Sequence, residues 1–214
     1  MKTMTTAPLV AILRGIRPEE IDSHLPLLIE AGFTAIEIPL NSPDWETSIG
    51  HAVSAYGDRV TIGAGTVLSV ENVDRLAALG CRLIIAPNSN PAVIRRALHH
   101  DMQAMPGCAT PGEAFIAIEA GARQLKLFPA SFFGPGYVRA LKTVLPASVE
   151  LFAVGGVTPE TLPRYLAAGC AGAGIGGELY RAGQPAEQTQ KQALAFIAAH
   201  QRFITSSQQN GESI

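Results

Sequence analysis

Short runs of apolar and β-branched residues alternate along this chain with longer stretches whose apolar positions recur at helical spacing, many of them ending in glycine. Eight runs read as strands: Leu9 to Leu13, Ala35 to Ile38, Thr61 to Ala64, Leu83 to Ala86, Gln103 to Met105, Gln124 to Phe128, Leu151 to Val154 and Ala171 to Ile175. The stretches between them open on Arg17-Pro18-Glu19-Glu20, Ser42-Pro43-Asp44, Ser69-Val70-Glu71, Asn90-Pro91, Thr110-Pro111-Gly112-Glu113 and Thr158-Pro159-Glu160. Each combines a capping oxygen or an early proline with, in most cases, an acid, which is the chemistry of a helix start. Gly32, Gly57, Gly80, Gly121 and Gly169 fall where those helices should stop in left-handed geometry. Regular alternation of this kind predicts an α/β fold with a parallel sheet closed into a (β/α)8 TIM barrel, a single compact domain over 1–204 followed by a polar C-terminal tail, 205–214, expected to fray. An open doubly wound sheet is the weaker reading, because no strand runs into a G-x-G-x-x-G turn.

Two of these strands carry a charge where a core strand should have none. In Gln124-Leu125-Lys126-Leu127-Phe128, period-two alternation turns Leu125 and Leu127 toward the helices and Lys126 into the barrel. In Ala35-Ile36-Glu37-Ile38-Pro39, the same alternation sends Glu37 inward. A lysine in low dielectric shifts toward its neutral amine, and a neutral amine attacks ketones. A carboxylate beside it can hold and move the protons of such a reaction. A structural ion pair inside the barrel is the alternative.

Glycine-rich turns follow several of the strands. Val154-Gly155-Gly156-Val157 and Gly174-Ile175-Gly176-Gly177, the latter before a predicted short helix at Glu178 to Tyr180, occupy the ends of strands seven and eight. Exposed backbone N–H groups converge there to bind phosphate in this fold, although paired glycines also serve as simple turns. Gly63-Ala64-Gly65-Thr66 offers backbone donors and a hydroxyl suited to a carboxylate. Arg14, at the end of strand one, is placed for that carboxylate, for the phosphate, or for a surface ion pair.

Composition narrows the classes. The 214 residues are 47% hydrophobic and 16% charged with a net charge of −2, enough for one core and without the basic stripe that nucleic acid requires. No apolar run reaches the length of a membrane span, and Met1 to Pro8 lacks the regions of a signal peptide, so a cytoplasmic location is expected. Cys81, Cys108 and Cys170 have no paired spacing and read as buried thiols. The five histidines show no metal-ligand spacing, so no metal is expected.

Ile36-Glu37-Ile38, Gly63-Ala64-Gly65-Thr66-Val67, Lys126-Leu127-Phe128-Pro129-Ala130 and Gly155-Gly156-Val157, in this order on the predicted strands, resemble the 2-keto-3-deoxy-6-phosphogluconate and -galactonate aldolases, over nearly the whole chain. These are small class I barrels. The resemblance implies that Lys126 forms a Schiff base with a phosphorylated 2-keto-3-deoxy sugar acid and that Glu37 is its general acid/base. It also implies that Arg14, Gly65, Thr66, Pro87, Phe128 and Val154 contact the substrate, and that Gly155, Gly156, Gly176 and Gly177 line the phosphate site. Pyruvate and glyceraldehyde 3-phosphate would be the products, no cofactor would be needed, and the assembly would be a homotrimer. Gluconate-type members carry an arginine four residues after the glutamate and a threonine before the paired glycines. Asn41 and Val154 stand at those positions here, which favours the galactonate-type branch, with Arg14 supplying the charge. The family often has a serine where this chain has Gly177. The gluconate epimer, a non-covalent phosphate-binding isomerase or synthase, and a non-catalytic sugar-phosphate binding barrel remain alternatives.

Overall fold

The computed structural model describes residues 9–211, with side chains as far as Gln208. Met1 to Pro8, read above as carrying no signal peptide, and residues 212–214 of the polar tail lie outside the described residues. The strands are β1 (Leu9–Ile12), β2 (Ala35–Pro39), β3 (Thr61–Gly65), β4 (Leu83–Ile85), β5 (Gln103–Met105), β6 (Gly107–Cys108), β7 (Gln124–Leu127), β8 (Glu150–Val154) and β9 (Gly172–Ile175). The helices are α1 (Ile21–Ala31), α2 (Trp45–Tyr56), α3 (Val70–Ala78), α4 (Pro91–His99), α5 (Pro111–Glu119), α6 (Ala130–Lys142), α7 (Leu162–Ala167) and α8 (Ala186–Gly211).

All pairings are parallel, in the order β5-β4-β3-β2-β1-β9-β8-β7-β6. The expected count of eight strands becomes nine segments because the fifth strand is split at Pro106. Proline has no N–H to give the ladder, so pairing stops there and resumes one residue later. β5 bonds β4 on one side of the break and β6 bonds β7 on the other, while the Pro106 carbonyl still accepts from Lys126 N–H at 2.9 Å. The sheet therefore comes round on itself through this residue, and the fold is a (β/α)8 barrel.

Strand alternation sorts the buried side chains into two clusters. Ile36, Ile38, Ile62, Leu125, Leu127, Leu151 and Ile175 point outward and pack under the helices. Val10, Ala35, Leu83, Ile85, Met105 and Phe152 point inward and form a separate apolar floor inside the barrel. This is the two-faced burial that parallel strands require, and it explains why their sequences read as continuous apolar runs.

The expected caps form at Ser69, Asn90 and Thr110, whose side chains accept from Asn72, Ala92 and Glu113 N–H respectively. Others differ. The helix expected from Thr158 begins at Leu162, after the N–H groups of Thr158 and Thr161 have each donated to the other's hydroxyl oxygen. The short helix expected at Glu178 to Tyr180 is one hydrogen-bonded turn, in which Leu179 and Tyr180 N–H both donate to the Gly176 carbonyl. From Thr205 onward, where a frayed tail was expected, α8 continues to Gly211 with exposed side chains through Gln208. Thr205, Ser206 and Ser207 turn their hydroxyls back onto carbonyls of Gln201 and Phe203, a local pairing compatible with helix. Among the described residues no helix is long and apolar enough to cross a membrane.

Candidate active site

Lys126 and Glu37 both stand on the inner face of the barrel, 5% and 1% exposed. Their direction follows from the flanking leucines and isoleucines, all buried in the outer core. Below them lies the apolar floor, with Phe152 in register beside Lys126. Above, the strand ends open to solvent.

The two charges do not neutralise one another directly. Glu37 Oε2 is buried without a hydrogen-bond partner. Burial pushes the Glu37 carboxyl above its ordinary range, against the opposing pull of Lys126 and Arg14. Burial holds the Lys126 ammonium below its ordinary range, with Arg14 acting in the same direction and Glu37 against it. A proton is thus shared out between an amine made more acidic and a carboxyl made more basic, which suits one as nucleophile and the other as proton carrier. A buried polar atom left without a protein partner costs stability, and such groups recur where a side chain has a catalytic role.

The mouth is built from strand ends. Phe128 is 40% exposed and its ring lies 5.0 Å from Lys126 Nζ, within reach of a cation–π contact. Val154, buried, points inward beside Gly174. Pro87, exposed, follows β4, and its carbonyl lies so close to Gly107 that no side chain fits there. Gly65 ends β3 directly against the Glu37 carboxylate, where a Cβ would collide with it. Replacing Gly65 by alanine is expected to lower kcat by about ten- to a hundredfold through displacement of Glu37, an overpacking strain of about 1–3 kcal/mol. Steady-state kinetics beside a thermal melt would check this, since a loss of stability without a loss of kcat contradicts it.

Thr66 takes the left-handed conformation, φ 58°, a cost for a β-branched residue that such sites often carry. Its hydroxyl accepts from Arg14 Nη1 at 3.4 Å, and the same nitrogen donates to Asn41 Oδ1 at 2.6 Å. Asn41 was read in the sequence only as a missing arginine; here it clasps the arginine that comes from the neighbouring strand. That role could not be found from spacing, because 27 residues separate the two.

Gly155 and Gly156, with φ of 95° and 68°, turn the chain after β8. The left-handed region is the glycine conformation, and it leaves backbone free to approach a ligand. Gly176 and Gly177 follow β9, and Arg181 Nε donates to the Gly177 carbonyl at 3.1 Å, fastening this loop. All twelve residues singled out in the sequence therefore lie on, or just beyond, the carboxyl halves of the strands, the face on which barrels of this kind carry their chemistry. A surface cavity of about 400 Å³, lined by Leu98, Met102, Arg123 and Glu150 among others, sits at the opposite end.

The buried cysteines carry no comparable chemistry. Burial pushes Cys81 up to about 11 and Cys108 and Cys170 up to about 12, so all three are protonated, unreactive thiols. Among the described residues, no group of three or more His, Cys, Asp or Glu is placed to hold a metal ion.

Known proteins resemble the chain throughout. It is 57% identical over 204 residues to the 2-dehydro-3-deoxy-6-phosphogalactonate aldolase of Escherichia coli strain K12, covering 95% of this chain and 100% of that one. A solved structure described as native KDPGal superposes with a TM-score of 0.93 at 57% identity, covering 96% of this chain and 100% of the other. A cube-shaped porous cage designed by fusing symmetric oligomeric domains matches with a TM-score of 0.96 at 56% identity, over 97% of this chain and 77% of that one. Residues 1–195 match the aldolase family described as KDPG and KHG aldolase. The chain belongs to the KDPG and KHG aldolase family.

Proposed function

We propose that this chain is a class I aldolase that cleaves 2-dehydro-3-deoxy-6-phosphogalactonate to pyruvate and glyceraldehyde 3-phosphate. The observation that carries this reading is the buried Lys126 amine, lowered in basicity, sharing the barrel interior with the buried Glu37 carboxyl, whose Oε2 has no protein hydrogen-bond partner. Lys126 Nζ attacks the C2 ketone, and loss of water from the carbinolamine leaves an iminium. Glu37 takes the C4 hydroxyl proton, directly or through one water. The C3–C4 bond breaks, its electrons flow into the iminium, and glyceraldehyde 3-phosphate departs. The pyruvate enamine that remains is protonated at C3 and hydrolysed, returning the free amine.

Thr66 and the Gly65 backbone hold the substrate carboxylate, with Arg14 as countercharge and Pro87 at the rim. Phe128 and Val154 flank the reacting carbons. The backbone N–H groups around Gly155, Gly156, Gly176 and Gly177 bind the phosphate. The enzyme is a cytoplasmic homotrimer of galactonate breakdown under this reading, in line with its similarity to a cage assembled from symmetric oligomeric domains.

Preference for the galactonate epimer rests on the place where a gluconate-type enzyme has threonine. Here Val154 presents two methyl groups and no hydroxyl to the interior. A coupled assay of pyruvate release from the two C4 epimers should give a kcat/KM ratio of at least about tenfold in favour of 2-dehydro-3-deoxy-6-phosphogalactonate, as expected for one discriminating polar contact. A preference for the gluconate epimer would overturn the assignment.

A further inference from the structure

We infer that Ser131 is a phosphate-binding residue, supplying from the β7–α6 turn the hydroxyl that Gly177 lacks on the other side of the glycine turn after β8. The inference rests on the phosphate subsite proposed above and adds to it a side chain that the sequence reading did not single out.

Ser131 is fixed against that turn by its own backbone. Its N–H donates to the Gly155 carbonyl at 3.0 Å, and the preceding carbonyl, of Ala130, accepts from the buried Tyr165 hydroxyl at 2.9 Å. The side chain then lies directly over Gly156: a Cβ added to that glycine would stand 2.6 Å from Ser131 Oγ and 2.7 Å from its Cβ. Ser131 is exposed, and its hydroxyl makes no hydrogen bond within the protein among the described residues. A hydroxyl held next to converging backbone donors, with its own donor capacity free, is the group that an anionic oxygen seated on that turn would accept from.

The opposite side of the turn is bare. β9 neighbours β8, and its loop brings Gly177 to the same mouth. Nothing lies within 4 Å of a Cβ placed on Gly177. A Cβ would fit there in open space, so crowding at that atom does not account for the glycine. The neighbouring strands on either side of β8 are thus alternative sources of one hydroxyl, and in this chain β7 provides it. In the sequence, Ser131 was invisible as a ligand, because a serine just after Pro129-Ala130 reads as part of a helix start.

The test compares 2-dehydro-3-deoxy-6-phosphogalactonate with its unphosphorylated counterpart, 2-dehydro-3-deoxygalactonate, as substrates of the full chain. The readout is the ratio of their kcat/KM values. Ser131→Ala should lower this ratio about tenfold, the usual size of one hydrogen bond to a charged group, mainly through KM of the phosphorylated substrate. Adding Gly177→Ser to Ser131→Ala should restore most of the ratio, which a merely structural role for Ser131 would not allow. A Ser131→Ala enzyme with the wild-type ratio, or one whose loss Gly177→Ser leaves uncorrected, overturns the proposal while the subsite stands. A wild-type enzyme that does not discriminate between the two substrates overturns the subsite, and Ser131 with it.

Discussion

Methionine in place of Lys126 should reduce kcat/KM by at least about 10⁴-fold, because among the described residues no other lysine amine is buried in the interior to form the covalent intermediate. Methionine matches the stem of lysine in length and adapts to irregular surroundings, and the residue sits on an apolar floor, so folding should persist. The accompanying measurement is reductive trapping. Borohydride with pyruvate should add a pyruvate-derived mass to the wild-type chain at Lys126 and add none to the methionine variant. A folded wild-type protein that turns over substrate without labelling would require a non-covalent role for this lysine. Labelling that persists in the variant would place the nucleophile elsewhere.

The second large effect concerns Glu37→Gln. Removing a proton carrier while keeping shape and polarity should lower kcat by about 10²- to 10⁴-fold. Labelling by pyruvate should survive, since the amine remains. Its pH dependence should change in a signed way. The Glu37 charge raises the Lys126 value that burial depresses, so without that charge the amine is freed at lower pH. The acid limb of the trapping rate should therefore move downward in pH, and an upward shift would contradict the coupling. Stability has its own sign. Because burial raises the Glu37 value in the folded state, its contribution is greatest below the ordinary carboxylate range and is lost as pH rises through the raised value. Glutamine does not titrate, so a melt at neutral pH should find the variant folded and at least as stable as wild type.

Much of this site was legible in sequence because strand alternation is a strict rule. Leu125-Lys126-Leu127 and Ile36-Glu37-Ile38 each state which residue faces inward, and the structure places them so. The βα rhythm is similarly local, written in caps such as Thr110 with Glu113 and in glycine stops such as Gly32. What escaped depends on contacts between distant segments or on dihedral angles that side-chain identity does not reveal. The Arg14–Asn41 clasp joins two different strand ends. Thr66 adopts a conformation that its own chemistry disfavours. The break at Pro106 was hidden because Gln103 to Met105 already satisfied the expected strand, and only the pairing partners show that it resumes beyond the proline.

Among the described residues, the apolar floor beneath Lys126 leaves the mouth at the strand ends as the approach to the reacting amine. Val10, Leu83, Ile85, Met105 and Phe152 are each 2% exposed or less, and they close the interior below the reacting amine. Under the proposed chemistry, water, solvent protons, aldehyde and keto acid all pass through the same opening. While the phosphorylated aldehyde occupies it, the enamine on Lys126 is sheltered from the solvent proton that would end the reaction. If Lys126 holds pyruvate covalently as proposed, release is ordered, aldehyde first and pyruvate second, and the same ordering run backward has pyruvate load before the aldehyde can be joined to it.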